Sequence, residues 1–193
     1  MLQWITGEFE KYRNIENAQQ MERYMKDHFP FFGIKSPERR RITSLFFKET
    51  GLHKQPFNSD FLIELWEKEE REYQYLALDY IDKQLKNISK EHLSLMHQLI
   101  TTKSWWDTVD MLAQKPIGKI AEDSPSIINS TIDNWSQNEN MWLRRTAILF
   151  QLKYKEKTNE DLLYTYIKRN SDSKELILYS KGNRMGTARI LKN

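Results

Sequence analysis

An aromatic residue recurs at a nearly constant spacing along segments that favour helix. Tyr73 and Trp106 are 33 positions apart, and Trp106 and Trp142 are 36 apart. Each of the three opens the second of two consecutive helical segments. Periods of this length are typical of stacked helix pairs, which bury their apolar faces only against neighbouring pairs. No segment shows the alternating pattern of a strand. The sequence therefore predicts an all-α protein, a curved solenoid of HEAT-like antiparallel helix pairs.

The length and composition exclude several classes of protein. With 193 residues, the chain suits one domain, and we predict a single HEAT-like repeat domain over residues 1–176. The absence of cysteine excludes disulfides, thiolate zinc sites and a cysteine nucleophile. The four histidines lack metal-ligand spacing and no glycine-rich phosphate loop is present, so we expect no metal and no cofactor. No apolar run approaches the ~18 residues of a membrane span. No signal-peptide pattern is visible either, which predicts a cytoplasmic protein with no membrane partner.

The segment Lys103–Asp110 carries the main chemical signal. Ser104 is a good N-cap and Asp107 completes a capping-box-like pair, which predicts a helix beginning at Ser104. Trp106 and Asp110 are four apart on that helix and share one face. The alternative is that Trp106 is a core aromatic residue and Asp110 a solvated charge.

The rest of this helix predicts a buried stripe. Trp105 and Val109 lie on a face next to that of Trp106 and Asp110, as an apolar stripe does. Further along, Pro116 is expected to end or bend the helix.

Basic residues offer possible contacts for a polyanion. The net charge of +3 permits such a partner without requiring one. Ser36 as N-cap and Pro37 at the first helical position predict a helix running to about Thr50, and this helix carries Arg39-Arg40-Arg41. The cluster is either a solvated face or a set of phosphate contacts. Arg145 lies on the second helix of a later pair, so it could share a groove with Trp106 and Asp110.

A carboxylate beside an indole suits one reaction in particular. As the bond between a sugar and its leaving group breaks, a carboxylate can stabilise the cationic sugar while an aromatic face contacts its C–H groups. Glycoside hydrolysis normally needs a second carboxyl group to protonate the leaving group. A base already made cationic by alkylation does not need that proton, so one acid suffices and no metal is required.

Three parts of the chain resemble the AlkD family of bacterial DNA alkylation repair glycosylases. They occur in the family's order within about residues 15–176: Met21–Lys26 with Gly33–Arg40, then Lys103–Asp110, then Trp142–Lys155. The resemblance implies a curved stack of HEAT-like helix pairs that holds duplex DNA in a basic concave groove. It implies hydrolysis of the N-glycosidic bond of N3- and N7-alkylated purines, such as 3-methyladenine and 7-methylguanine, without flipping of the base into a pocket.

The resemblance also assigns residues. Asp110 matches the catalytic aspartate, Trp106 a tryptophan that packs on deoxyribose, and Arg145 an arginine near the lesion phosphate. Further DNA contacts are predicted at seven positions: Tyr24, Lys35, Arg39, Arg40, Lys103, Trp105 and Arg144. At Lys35 some members of the family are expected to have a glutamine.

The C-terminus departs from the family pattern after about Leu176. Residues 177–193 lack a helical period, and codons for Tyr179 to Ile190 read one nucleotide later can spell a helix with a tryptophan. We therefore predict a frameshift near Ile177–Tyr179, an aberrant tail and a missing last repeat. This loss would impair activity and expose an apolar face through which copies of the chain could associate.

Two other functions remain open at this point. A non-catalytic HEAT-repeat module could bind DNA structures or a protein through the same groove. A purely structural scaffold would make the arginine positions accidental. The presence of both Trp106 and Asp110 favours the enzyme, because a binder has no need for an acid facing a polyanion.

Overall fold

The computed structural model describes residues 1–173, and over that range the chain is helical and contains no strand. The prediction of an all-α fold is confirmed. Eleven α-helices are present in this range: α1 Leu2–Lys11, α2 Ile15–Tyr24, α3 Ser36–Thr50, α4 Ser59–Glu67, α5 Arg71–Lys83, α6 Leu93–Thr101, α7 Trp106–Leu112, α8 Gly118–Asp123, α9 Asp133–Trp135, α10 Met141–Leu149 and α11 Glu160–Arg169. None of the described helices is long and apolar enough to cross a membrane. The predicted tail at residues 177–193, its frameshift and the association through an exposed face lie outside the described residues.

The chain divides into two compact units, Met1–Asn87 and a second that begins at Ile88. The core of the first unit is aromatic. Phe9, Phe32 and Tyr73 meet with ring centroids 5.4 to 5.5 Å apart, and all three are buried. Tilted and edge-on contacts of this kind add to the free energy gained from area burial. The residue that opens α5 in the repeat pattern, Tyr73, therefore belongs to the core of its unit.

A short connector without helix joins α2 to α3 in the first unit. Near its C-terminal end Gly33 has a φ of +85°, and a Cβ there would lie 2.1 Å from the backbone oxygen of Asn14. Only glycine fits this conformation and this close approach. The connector ends at Lys35, after which α3 begins at Ser36 with Pro37 in its first turn. The predicted helix is present, but its N-cap is Lys35 and not Ser36, which is the first helical residue.

The second unit contains the helix pairs α6/α7 and α9/α10. Trp106 is the first residue of α7 and Trp142 the second of α10. The prediction that a helix begins at Ser104 is wrong, because the Ser104 hydroxyl instead donates to the carbonyl of Ile100 at 2.6 Å. Side-chain hydrogen bonds to the preceding turn compete with capping in this way. The helix begins two residues later, and no side chain caps it.

The α-helix α7 ends at Leu112, four residues before Pro116, but the backbone stays helical beyond it. Residues Ala113–Ile117 form a π-helical turn that contains Pro116 and leads directly into α8. A wider turn accommodates a residue that cannot donate a main-chain hydrogen bond. The π-turn begins three residues after Asp110.

Candidate active site

The first turn and a half of α7 position the tryptophan and the acid together. Trp106 is half-buried, and Asp110, four residues later, is 7% exposed. Asp110 is therefore not the solvated charge of the alternative interpretation. The preceding residue, Trp105, is 6% exposed and packs against Trp142 with ring centroids 5.7 Å apart. Trp105 therefore belongs to the core beneath α7, as its place in the apolar stripe indicated, and is a weak candidate for the predicted DNA contact.

Asp110 and Arg145 form a bidentate ion pair. The Nε of Arg145 donates to Oδ1 of Asp110 at 2.5 Å, and Nη2 donates to Oδ2 at 2.8 Å. The side chains of Arg145 and Asp110 are 6% and 10% exposed. Such parallel, charge-assisted bonds fix the plane and direction of a carboxylate. The resemblance places Arg145 near a phosphate, and the structure adds a direct partner for the acid.

A second contact fixes the spacing of the helices that carry this pair. A Cβ at Gly118, the first residue of α8, would lie 2.6 Å from the backbone oxygen of Phe150, which follows α10. The hydroxyl of Tyr154 donates to the Gly118 carbonyl at 2.6 Å. Burial raises the pKa of Tyr154 to about 12, so the phenol keeps the proton that it donates. The helices that bear Asp110 and Arg145 are thus held at two separate points.

Sequence reasoning missed this second contact, although a signal was present. Gly118 and Tyr154 are 36 positions apart, the same spacing as Trp106 and Trp142. A small residue and an aromatic residue at the repeat spacing are therefore the signal that indicated this close approach.

Two other basic residues of the second unit lie near the ends of these helices. Lys103 is half-buried in the turn before α7 and has a φ of +48°. Arg144, also half-buried, donates through Nη1 to the carbonyls of Asn138 and Glu139, both at 2.7 Å. Arg144 therefore stabilises the turn that leads into α10.

In the first unit, three of the predicted DNA-contacting residues are exposed. Tyr24, at the end of α2, is 68% exposed. Lys35 and Arg40 are also exposed, the first at the end of the connector and the second in α3.

Arg39, the fourth predicted DNA-contacting residue of the first unit, is held in place by its neighbours. Its Nη1 donates to Oδ2 of Asp79 at 2.9 Å, and its guanidinium lies 4.8 Å from the centre of the Tyr75 ring. Because a carboxylate already neutralises it, Arg39 is a weaker candidate for a phosphate than Lys35 or Arg40.

The described part of the chain holds no cluster of three or more histidine, aspartate or glutamate side chains that could bind a metal ion. The chemistry available at the site is that of a fixed carboxylate, its arginine and a neighbouring indole. A carboxylate so placed can stabilise positive charge that develops on a bound molecule.

The second unit is thus all-helical and holds a buried acid–arginine pair, with a tryptophan one helical turn before the acid. A sequence model of the family described as "DNA alkylation repair enzyme" matches residues 5–180. The chain therefore belongs to the DNA alkylation repair enzyme family. A solved structure described as a predicted DNA alkylation repair enzyme from Enterococcus faecalis is 31% identical to it, with a TM-score of 0.75. That match covers 93% of this chain and 89% of the other. No curated protein matches the chain significantly.

Proposed function

We propose that this protein is a monofunctional DNA glycosylase that hydrolyses the N-glycosidic bond of N3- and N7-alkylated purines, such as 3-methyladenine and 7-methylguanine, in duplex DNA. The observation that carries the proposal is the Asp110 carboxylate, fixed by two hydrogen bonds from Arg145 and one helical turn from Trp106. Membership of a DNA alkylation repair family supports DNA as the substrate.

The proposed reaction needs one acid. An alkylated purine carries a positive charge, so the bond from C1′ to the purine breaks with its electron pair going to the base, which leaves neutral. The deoxyribose becomes an oxocarbenium ion, which Asp110 stabilises through space. Water then adds to C1′ and its proton passes to solvent, which leaves an abasic site. Trp106 supplies an aromatic surface for the sugar.

Arg145 has two tasks in this proposal. It holds the Asp110 carboxylate in a single orientation, which removes the cost of reorienting it during the reaction. A guanidinium has five N–H donors, and the pair with Asp110 uses two of them, so Arg145 keeps donors for a phosphate oxygen. The exposed tenth of the Asp110 side chain is the part that the sugar would approach.

Release of 7-methylguanine and 3-methyladenine from methylated duplex DNA tests the proposal. Asp110→Asn should slow single-turnover release by about 10²–10³-fold, as expected for loss of a preorganised charge, while duplex binding persists. The matched control is Asp123→Asn on α8, which removes an exposed ion pair with Lys119 and should leave the rate unchanged. If Asp110→Asn releases base at the wild-type rate, the proposed mechanism is wrong.

A non-catalytic DNA-binding module is the second candidate. The observation that favours it is the low exposure of Asp110 together with the two bonds from Arg145, since a buried ion pair can be purely structural. The predicted loss of the last repeat would by itself impair release, so the wild type is compared with a version whose reading frame is restored near Ile177–Tyr179. Salt-dependent binding of duplex DNA by both, without release of any alkylated base, would favour this function over the enzyme.

A further inference from the structure

A second buried acid in the molecule, Glu72 on α5, has no part in the proposed reaction. It is 0% exposed, and its carboxylate accepts hydrogen bonds from three consecutive main-chain amides of the connector between α2 and α3. Oε2 accepts from the amide of Phe32 at 3.0 Å. Oε1 accepts from the amides of Gly33 at 3.0 Å and Ile34 at 3.1 Å. Glu72 therefore holds the C-terminal part of the connector.

A carboxylate at this position carries a cost that an apolar residue would avoid. Burial raises the pKa of Glu72, and the amide bonds oppose that rise without cancelling it. A glutamine of the same size would direct an NH₂ group at one of the amides, so it could not accept all three bonds. The connector thus depends on the carboxylate for its conformation.

Other main-chain contacts also hold the connector. The amide of Asn14 donates to the carbonyl of Phe32 at 2.8 Å, and the amide of Arg71 donates to the carbonyl of Pro30 at 2.9 Å. Gly33 lies directly against the backbone of Asn14. The connector is therefore fixed from both sides by main-chain contacts.

The residue that follows the three amides bound by Glu72 is a cation that faces solvent. Lys35 directly follows Ile34, is exposed, and is the N-cap of α3. Its carbonyl accepts from the amide of Arg39 at 2.9 Å, so Lys35 is joined to the helix as well as to the connector. A lysine whose backbone is held on both sides presents its charge from a defined point.

We propose that Glu72 is a positioning residue for DNA binding: by holding the amides of Phe32 to Ile34, it places Lys35 against a backbone phosphate of the duplex. The inference rests on the proposed function in taking duplex DNA as the ligand. It concerns affinity rather than bond cleavage, so it is tested through binding.

The salt dependence of binding to an unmodified duplex provides the test, because a duplex without lesions is not consumed. Each phosphate contact contributes about 0.9 to the slope of log Kd against log salt concentration. Lys35→Ala should lower the slope by about 0.9, and Glu72→Gln should lower it by the same amount. In the Lys35→Ala background, Glu72→Gln should have no further effect on the slope. A general loss of stability would not produce this dependence of one variant on the other.

Two further variants keep the test decisive. Glu72→Asp retains the charge but shortens the side chain, so it should lower the slope even if Glu72→Gln folds poorly. Arg40→Ala, on the same helix, is the matched control, and in its background Glu72→Gln should still lower the slope.

The outcomes separate this inference from the proposed function. Binding that follows the predicted slopes without base release would overturn the glycosylase and support the role of Glu72. A wild-type slope in both folded Glu72 variants, alongside a reduced slope in Lys35→Ala, would overturn the positioning role. An unchanged slope in Lys35→Ala, or no binding of duplex at all, would also overturn it.

Discussion

The two units each bury a carboxylate, and the two acids are held in different ways. In the first unit Glu72 is fully buried, and the partners that hold it are main-chain amides. In the second unit Asp110 keeps 7% of its surface exposed and is held by the guanidinium of Arg145. Main-chain partners fix the path of the chain, whereas a side-chain partner fixes a charge at a place that a ligand can reach. Burial of an acid alone therefore does not identify a reactive group.

Substitution of Arg145 should have the largest effect on stability, because of the two buried acids only Asp110 is held by a side chain. No side-chain substitution removes the main-chain amides that hold Glu72, but Arg145→Met would remove the guanidinium that holds the buried Asp110. We expect a loss of about 3–5 kcal/mol in the free energy of unfolding, measured by urea denaturation, because a buried carboxylate loses the two charge-assisted bonds of its arginine.

Two control variants sharpen this prediction. Arg144→Met removes the neighbouring arginine, whose bonds go to main-chain carbonyls of a turn, and should cost less. The double variant Asp110→Asn/Arg145→Met removes both charges and should recover part of the loss. Equal losses in Arg144→Met and Arg145→Met would show that the pair with Asp110 has no special contribution to stability.

Local signals predicted the helices better than they predicted the site. Ser36-Pro37 marks the start of α3 as expected, although the N-cap residue is Lys35 rather than Ser36 and its side chain makes no capping hydrogen bond. At α11 the cap is a side chain, since Asn159 accepts from the amide of Leu162. A similar signal failed at Ser104, where the preceding helix offered its hydroxyl a competing carbonyl. Caps are decided within a few residues, so the sequence predicts them unless another local partner is available.

The acids were less predictable because their partners are far away in sequence. The repeat spacing placed Asp110 and Arg145 on the second helices of their pairs, but their 35-residue separation concealed the direct contact. Glu72 is 40 residues from Phe32, and no motif indicates its amide partners. Contacts of this range follow from helix packing, which the local pattern does not determine.

A glycine in each unit offers the next test of how the acids are positioned. Both Gly33 and Gly118 lie where a Cβ would meet a backbone oxygen, Asn14 in the first unit and Phe150 in the second. Gly118→Ala should force α8 away from Phe150, cost about 1–3 kcal/mol in the free energy of unfolding, and slow base release.

The control is Gly7→Ala in α1, where nothing lies within 4 Å of the added Cβ. That variant should be neutral or more stable by about 0.5–1 kcal/mol, because alanine favours a helix interior. If Gly118→Ala behaves like Gly7→Ala, close approach at Gly118 does not hold the second unit together.

Tyr154→Phe should give the smallest effect, and its pH dependence distinguishes the contact from simple packing. Loss of the hydrogen bond to the Gly118 carbonyl should cost about 1 kcal/mol at neutral pH. The folded-state pKa of Tyr154 is raised to about 12, first by burial and then by the charges of Glu122 and Asp123. Because the neutral phenol is favoured in the folded state, its contribution to stability is complete below pH ~10, the pKa of an unperturbed tyrosine, and is lost as the pH rises towards 12.

Urea denaturation of wild type and Tyr154→Phe from pH 8 to pH ~11.5 should therefore show the advantage of the wild type shrinking above pH ~10. A constant difference across that range would mean that the phenol proton does not join α8 to the segment after α10, and that packing alone spaces the helices that carry Asp110 and Arg145.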